Sequence, residues 1–266
     1  MKKLPLLICV AALCLLPIAR ALAESFSAEL LCEPTNIPTT DTFTVEIIRD
    51  EPVHPVSKRV LIYHTHTFEA YEQDPERAYQ PTEKWRTADP TYNMIAVGKA
   101  LASCLETLGI DVVHDVTTFE LPSLDSAYER SLAMLQQRQA TGETYDLYLD
   151  LHRDAIASSS SIKRTVNIGG KEVARFMVLI GQGSTGGYAE KPNWEANLIF
   201  AEKLTAAMNE CYPQLARDVK IKTGRFNQHI SEGCLLIECG MTDNTLNEVL
   251  SGIPYLADAI WETLCN

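Results

Sequence analysis

Val60-Leu-Ile-Tyr-His-Thr-His-Thr-Phe-Glu69 is a short apolar run that ends in residues able to hold a metal or move a proton. Two other runs have the same form: Leu147-Tyr-Leu-Asp-Leu-His-Arg-Asp154 and Leu235-Leu-Ile-Glu-Cys-Gly240. Short branched and aromatic runs of this kind read as buried strands. Laid parallel in one sheet, they bring their C-terminal ends to a common rim, where open α/β sheets place ligand sites. Two histidines and a carboxylate with an open fourth position make a hydrolytic zinc set. The pattern predicts an α/β metal hydrolase.

The segments between these runs support that layout. Tyr92 to Leu108 carries Met94, Val97, Leu101, Cys104, Leu105 and Leu108 at helical spacing, and Gly109 stops it. Ile110 to His114 then reads as a strand, which completes a β-loop-α-β unit of the right-handed parallel kind. Ser126 to Arg138 and Trp194 to Asn209 read as helices, and Asp146 to Leu151 and Leu235 to Glu238 as strands. Arg164 to Ile168 and Val173 to Ile180 read as two strands turned by Gly169-Gly170. Asn247 to Leu264 reads as a closing helix broken near Gly252 and Pro254, and Glu69 to Pro90 as a polar loop over the rim. The expectation is one domain over residues 58–266 with a mostly parallel central sheet flanked by helices.

The first residues suggest export. Met1-Lys2-Lys3 is basic, Leu4 to Leu16 is nearly all apolar, and Ala21-Leu22-Ala23 is a small-x-small site. This fits a signal peptide over residues 1–23 cut after Ala23, with retention as an uncleaved anchor the alternative. Residues 24–57 read as a linker with one short strand, Thr42 to Ile48. Loss of Lys2, Lys3 and Arg20 with the leader leaves 20 basic against 35 acidic residues, a net charge of about −15. That excludes nucleic acid, whose phosphates demand clustered Lys and Arg, and electrostatic docking on anionic lipid. Six cysteines remain: Cys32, Cys104, Cys211, Cys234, Cys239 and Cys265. None forms a Cys-x-x-Cys pair, which argues against a thiolate zinc site, and a Cys32–Cys265 bridge would tie the two ends together.

His64 and His66 sit two apart, so on an extended strand both would face one side. His66 and Glu69 sit three apart, as suits a strand end entering a turn. His152 taken alone is equally well a satisfied core histidine, with Asp150 and Asp154 as hydrogen-bonding neighbours. Glu238 ends an apolar strand, where a carboxylate is costly unless paired, coordinated or functional. Gly181 to Gly187 is glycine-rich but lacks the Gly-Lys-Ser/Thr ending of a phosphate loop.

Several stretches together resemble the stage II sporulation protein P family, whose members are zinc-dependent N-acetylmuramoyl-L-alanine amidases. They are Val60 to Tyr71, Tyr92-Asn93 with Val97-Gly98, Ala127 to Ser131, Asp150 to Ala155, Asn193 to Leu198, Phe226 to Gln228 and Leu236 to Leu246. The resemblance implies that His66, Glu69 and His152 ligate Zn2+ and that Glu238 carries the proton. It also implies that His64, Arg153, Asp154, Asn227 and Gln228 bind substrate or support those groups. The implied substrate is peptidoglycan, cut at the amide between N-acetylmuramic acid and L-alanine, on the cell-wall side of the membrane, with other wall-remodelling proteins as partners. Another exported zinc hydrolase, a peptidase or deacetylase, and a non-catalytic wall-binding protein are the rival readings. The short N-terminal region, with a leader that looks cleavable, departs from the family's longer anchored extension.

Overall fold

The computed structural model describes residues 58–75, 77–156, 161–182 and 190–265. The leader, the linker with its strand, Cys32 and Gly183 to Gly187 lie outside the described residues. The strands are β1 (Arg59–Tyr63), β2 (Asp111–His114), β3 (Leu147–Asp154), β4 (Thr165–Ile168), β5 (Lys171–Ala174), β6 (Phe176–Gly181), β7 (Lys220–Lys222) and β8 (Cys234–Met241). The helices are α1 (Met94–Thr107), α2 (Ala127–Ala140), α3 (Trp194–Cys211) and α4 (Leu246–Cys265). Six strands form one sheet in the order β2-β1-β3-β8-β6-β7, and β4 and β5 form a separate antiparallel ribbon. Within the main sheet only the β6–β8 pairing is antiparallel.

Strand alternation divides the core into two layers. Val60, Ile62, Leu147, Leu149, Leu151, Leu235 and Ile237 pack on one face beneath α1, α3 and α4. Leu61, Tyr63, Tyr148 and Cys234 point the other way and pack with Ala127 and Leu135 of α2. Both faces are covered, so the central strands read as continuous apolar runs rather than alternating ones. On the α2 face the period of two continues from Tyr148 through Asp150 to His152. Because β3 and β8 run parallel with His152 opposite Glu238, these two side chains leave the sheet side by side. The register then shifts between His152 and Asp154, which ends regular pairing at the rim.

Two expectations are corrected. The stretch from Val173 to Ile180 is two strands: β5 pairs with β4, and β6 crosses into the main sheet beside β8. The break falls at Arg175, whose Nε–H donates to Gln214 O at 2.6 Å. The closing helix is continuous through Gly252 and Pro254. Both residues are buried there, and a Cβ on Gly252 would lie 2.9 Å from the Phe176 ring, so close packing holds the helix across a residue that lacks an N–H donor. Edge strand β7 has three exposed residues and was not expected. The five described cysteines form no disulfide, and among the described residues no helix is long and apolar enough to cross a membrane.

Candidate metal centre and proton donor

The site begins where β1 runs out. Thr65 binds the buried Asp150 twice, N–H to Oδ1 at 2.8 Å and Oγ1–H to Oδ2 at 2.6 Å. The backbone then turns, with Glu69 N–H donating to His66 O at 3.2 Å. That turn separates the two histidines expected to share a face. His64 is fully buried, its Nε2 lies 2.8 Å from Nε2 of His114, and its Nδ1 lies 3.4 Å from Leu151 O. His66 instead swings out to the rim, where its ring stands perpendicular to that of His152 at 5.2 Å between centroids. Tyr128 of α2 faces both, stacked 6.3 Å from His152 and edge-on to His66 at 5.4 Å.

Glu69 and His152 are brought together from segments more than eighty residues apart. Glu69 Oε2 lies 3.4 Å from His152 Nδ1 and accepts the Arg153 backbone N–H at 3.1 Å. The Arg153 guanidinium reaches back to hold the loop, with Nε–H to Ala70 O at 3.0 Å and Nη2–H to Trp85 O at 3.3 Å, and its Nη1 is 3.8 Å from Glu69 Oε1. Behind His152, Asp150 Oδ1 lies 3.0 Å from Nε2. Burial alone would drive His152 toward the neutral form, but Asp150 and Glu69 outweigh it and raise its pKa well above the usual value. Burial likewise opposes the charge on Glu69, yet His152 and Arg153 hold its pKa down to about 2. For His64, burial dominates and the neighbouring His114 adds to it, lowering the pKa to about 3, so that pair is neutral.

Glu238 sits at the sheet centre with its Oε2 buried and unpartnered. Burial raises its pKa to about 8; His152 pulls it down, while Glu69 and Asp154 push it further up. A carboxyl poised near neutrality at the rim of the sheet is suited to taking and giving a proton. The next residue, Cys239, points into the opposite core layer and takes no part.

Among the described residues no three His, Cys, Asp or Glu side chains are already grouped to hold a metal ion. The donor chemistry nonetheless fits zinc: His66, Glu69 and His152 supply two imidazoles and a carboxylate at one rim. The 3.4 Å between Glu69 Oε2 and His152 Nδ1 is near the separation of about 3.3 Å expected for two donors each about 2 Å from a tetrahedral ion. His66 Nδ1 and Glu238 Oε2 are buried without hydrogen-bond partners, and such atoms are costly unless a ligand completes the site.

The remaining candidates are spent on structure or on neighbours. Asp154 Oδ2 accepts from Arg217 Nη2 at 2.5 Å. Asn227 donates to Tyr128 O and Ser131 Oγ, both at 2.9 Å, which fixes α2 over the site. Gln228 Oε1 accepts from Gly181 N and its Nε2 donates to Leu179 O, at 2.8 and 2.7 Å, so its amide is used along β6. Sequence reasoning missed Glu120, whose Oε1 lies 3.3 Å from His66 Nδ1, and Tyr128. Glu120 stands in a polar loop with no local pattern. Tyr128 lay inside a quoted stretch, but its half-buried position gave no sign of contact with His152.

Comparisons with known proteins are specific at the sequence level. The profile of the family described as Stage II sporulation protein P (SpoIIP) matches residues 33–261. Stage II sporulation protein P of Bacillus subtilis (strain 168) is 28% identical over 222 residues, covering 77% of this chain and 51% of that protein. The chain thus spans about half the length of that relative. Similar solved structures include the catalytic domain of CwlV, an N-acetylmuramoyl-L-alanine amidase from Bacillus (Paenibacillus) polymyxa var. colistinus. It has a TM-score of 0.47 and 14% identity, covering 78% of this chain and 98% of that one. The CwlD amidase from Clostridioides difficile in complex with the GerS lipoprotein has a TM-score of 0.48 and 11% identity, covering 78% and 95%.

Proposed function

The chain belongs to the stage II sporulation protein P family, and from that premise we propose that it is an exported peptidoglycan hydrolase that cuts the amide between N-acetylmuramic acid and L-alanine of the stem peptide. One observation carries the reading. The β3–β8 register sets His152 beside Glu238, while the turn after β1 delivers His66 and Glu69 to the same rim.

In this reading His66, Glu69 and His152 hold Zn2+, which when bound supplies a Lewis acid that lowers the pKa of water and polarises the scissile carbonyl. Arg153 keeps Glu69 turned inward through its backbone N–H and fixes the loop that carries it. Asp150 anchors the turn at Thr65 and backs His152, so both are set before substrate arrives. Glu238 takes a proton as water adds to the carbonyl carbon and delivers it to the nitrogen as the C–N bond breaks. The products are the lactyl carboxylate and a free L-alanine amine. The wall polymer is the partner this chemistry requires.

Digestion of purified sacculi, followed by mass spectrometry, tests the assignment. The expected products are intact glycan strands and peptides with a free L-alanine amino terminus, absent when chelator is present. Release of peptides cut elsewhere, or of acetate, would replace the amidase reading. In Glu238→Ala, loss of one acid–base group predicts a rate about 10²–10⁴-fold lower with bound zinc unchanged by metal analysis; full activity would remove Glu238 from the reaction.

A further inference from the structure

Trp85 is the third residue of a turn closed by Arg86 N–H to Glu83 O at 3.0 Å, and its φ is +58°. That left-handed position favours Gly or Asn, and a bulky side chain is strained there. No core packing offsets the strain: Trp85 is half-buried and joins neither apolar layer. Its backbone O ties the turn to both sides of the centre, accepting Ala70 N–H at 2.9 Å and Arg153 Nη2–H at 3.3 Å. Ala70 follows Glu69 and Arg153 follows His152, so the turn is fixed beside two of the proposed metal donors. The ring is fixed as well, since its Nε1–H donates to Glu72 Oε2 at 2.7 Å. Glu72 in turn is bonded to the chain just beyond β8, its N–H donating to Thr242 O at 3.0 Å. Over the ring stands Lys84, with Nζ 3.9 Å from the centroid. Lys84 is exposed, and a cation–π contact at an exposed site is weak, so this face yields to a ligand. Strain of this kind persists at sites where binding needs a side chain held in one place.

We propose that Trp85 is the stacking platform for a sugar ring of the glycan strand, next to the amide that is cut. This role rests on the proposed cleavage of peptidoglycan. The scissile amide hangs from the lactyl ether of N-acetylmuramic acid, so that sugar lies at the rim whenever the carbonyl reaches the centre. The C–H face of a pyranose is apolar, and stacking it on an indole takes both surfaces out of water. A ring already held by Glu72, on a turn already bonded to Ala70 and Arg153, loses little freedom when the sugar docks.

The test titrates peptide-free oligomers of N-acetylglucosamine and N-acetylmuramic acid into wild-type protein, Trp85→Phe and Trp85→Ala, read by calorimetry and tryptophan emission. Wild type is expected to bind with a change in emission. Trp85→Ala is expected to bind roughly 10–30-fold more weakly, the loss typical of truncating a central aromatic contact. Trp85→Phe is expected to keep part of the affinity and lose the emission change, since Trp194 and Trp261 lie on α3 and α4. No binding by wild type overturns the platform, as does affinity in Trp85→Ala within roughly twofold of wild type, against the loss typical of such contacts. Weaker binding without an emission change in wild type overturns it too, since the loss would then come from the loop. Should Trp85→Ala fail to fold, Trp85→Phe decides: an emission change that survives in it overturns the platform. Sacculus digestion by wild type runs in parallel. Binding that depends on Trp85 without release of free L-alanine termini would remove the amidase reading and leave a sugar site. Cleavage at that amide with binding independent of Trp85 would remove the platform alone.

Discussion

At Gly98 one hydrogen separates a filled core from a clash. The residue lies in α1 where the helix crosses behind the paired imidazoles of His64 and His114. A Cβ there would lie 2.5 Å from His64 Nε2 and would also strike His114 Nε2. His64 is fully buried and His114 half-buried, and their Nε2 atoms lie 2.8 Å apart, so neither can yield cheaply. Gly98→Ala is therefore expected to destabilise the protein by about 1–3 kcal/mol through overpacking, despite a helix-propensity gain of about 0.8–1 kcal/mol. A lower thermal midpoint in the absence of added metal checks this, and a midpoint at or above wild type would contradict it. At this scale the sequence told part of the story. His66, Glu69, His152 and Glu238 each ended an apolar run, which the eye can find. His64 looked equivalent to His66 because a strand was assumed to continue through Thr65, and nothing in the letters shows the two Asp150 hydrogen bonds that start the turn. Glu120 was invisible because its meaning comes from a contact 54 residues away with a ring.

Among the elements, α2 is attached to the sheet by more than apolar packing. Asp115, just beyond β2, accepts from Arg138 of α2 at 2.7 Å, and Arg138 also reaches Glu143 at 2.8 Å. Burial opposes the Asp115 charge, but Arg138 and Thr117 outweigh it and hold its pKa below the usual value. A carboxyl whose folded pKa is depressed adds stability above its unfolded pKa and loses it as pH falls through the folded pKa. Asp115→Asn is accordingly expected to cost about 1–3 kcal/mol at neutral pH, because it leaves Arg138 without its main partner. The gap to wild type should begin to narrow as pH falls below about 3.9, the ordinary Asp value, and go on closing toward the depressed folded pKa. Urea midpoints across that range measure it; a gap that is constant with pH would assign the effect to packing. The strands that build the site were legible because β1, β3 and β8 are buried on both faces and carry unbroken branched runs. Strand β7 was not, since its three residues are exposed and pair only because β6 offers a free edge. The β5–β6 break was hidden by continuous apolar sequence, and α4 was expected to break because a buried proline tolerated by packing looks the same in sequence as a helix stop.

For the molecule as a whole, the site ties together points that are far apart in the chain. His66 and Glu69 follow β1, His152 lies on β3 and Glu238 on β8, so the proposed metal donors and proton carrier converge only in the folded sheet. A ligand that binds the folded state and not the unfolded chain stabilises by mass action, by about 2.7 kcal/mol at a concentration 100 times its dissociation constant. For a domain of this size each kcal/mol moves the thermal midpoint by roughly 2–4 °C, so saturating zinc is expected to raise it by about 5–11 °C. The rise should vanish with chelator and in His152→Ala, where the metal loses a donor fixed in the sheet. It should persist in Glu238→Ala, because that side chain is assigned to the proton and not to the ion. This contrast separates a metal donor from a proton carrier without any measurement of activity. A rise that survives His152→Ala undiminished would place the ion elsewhere, and loss of the rise in Glu238→Ala would move the acid into the metal shell.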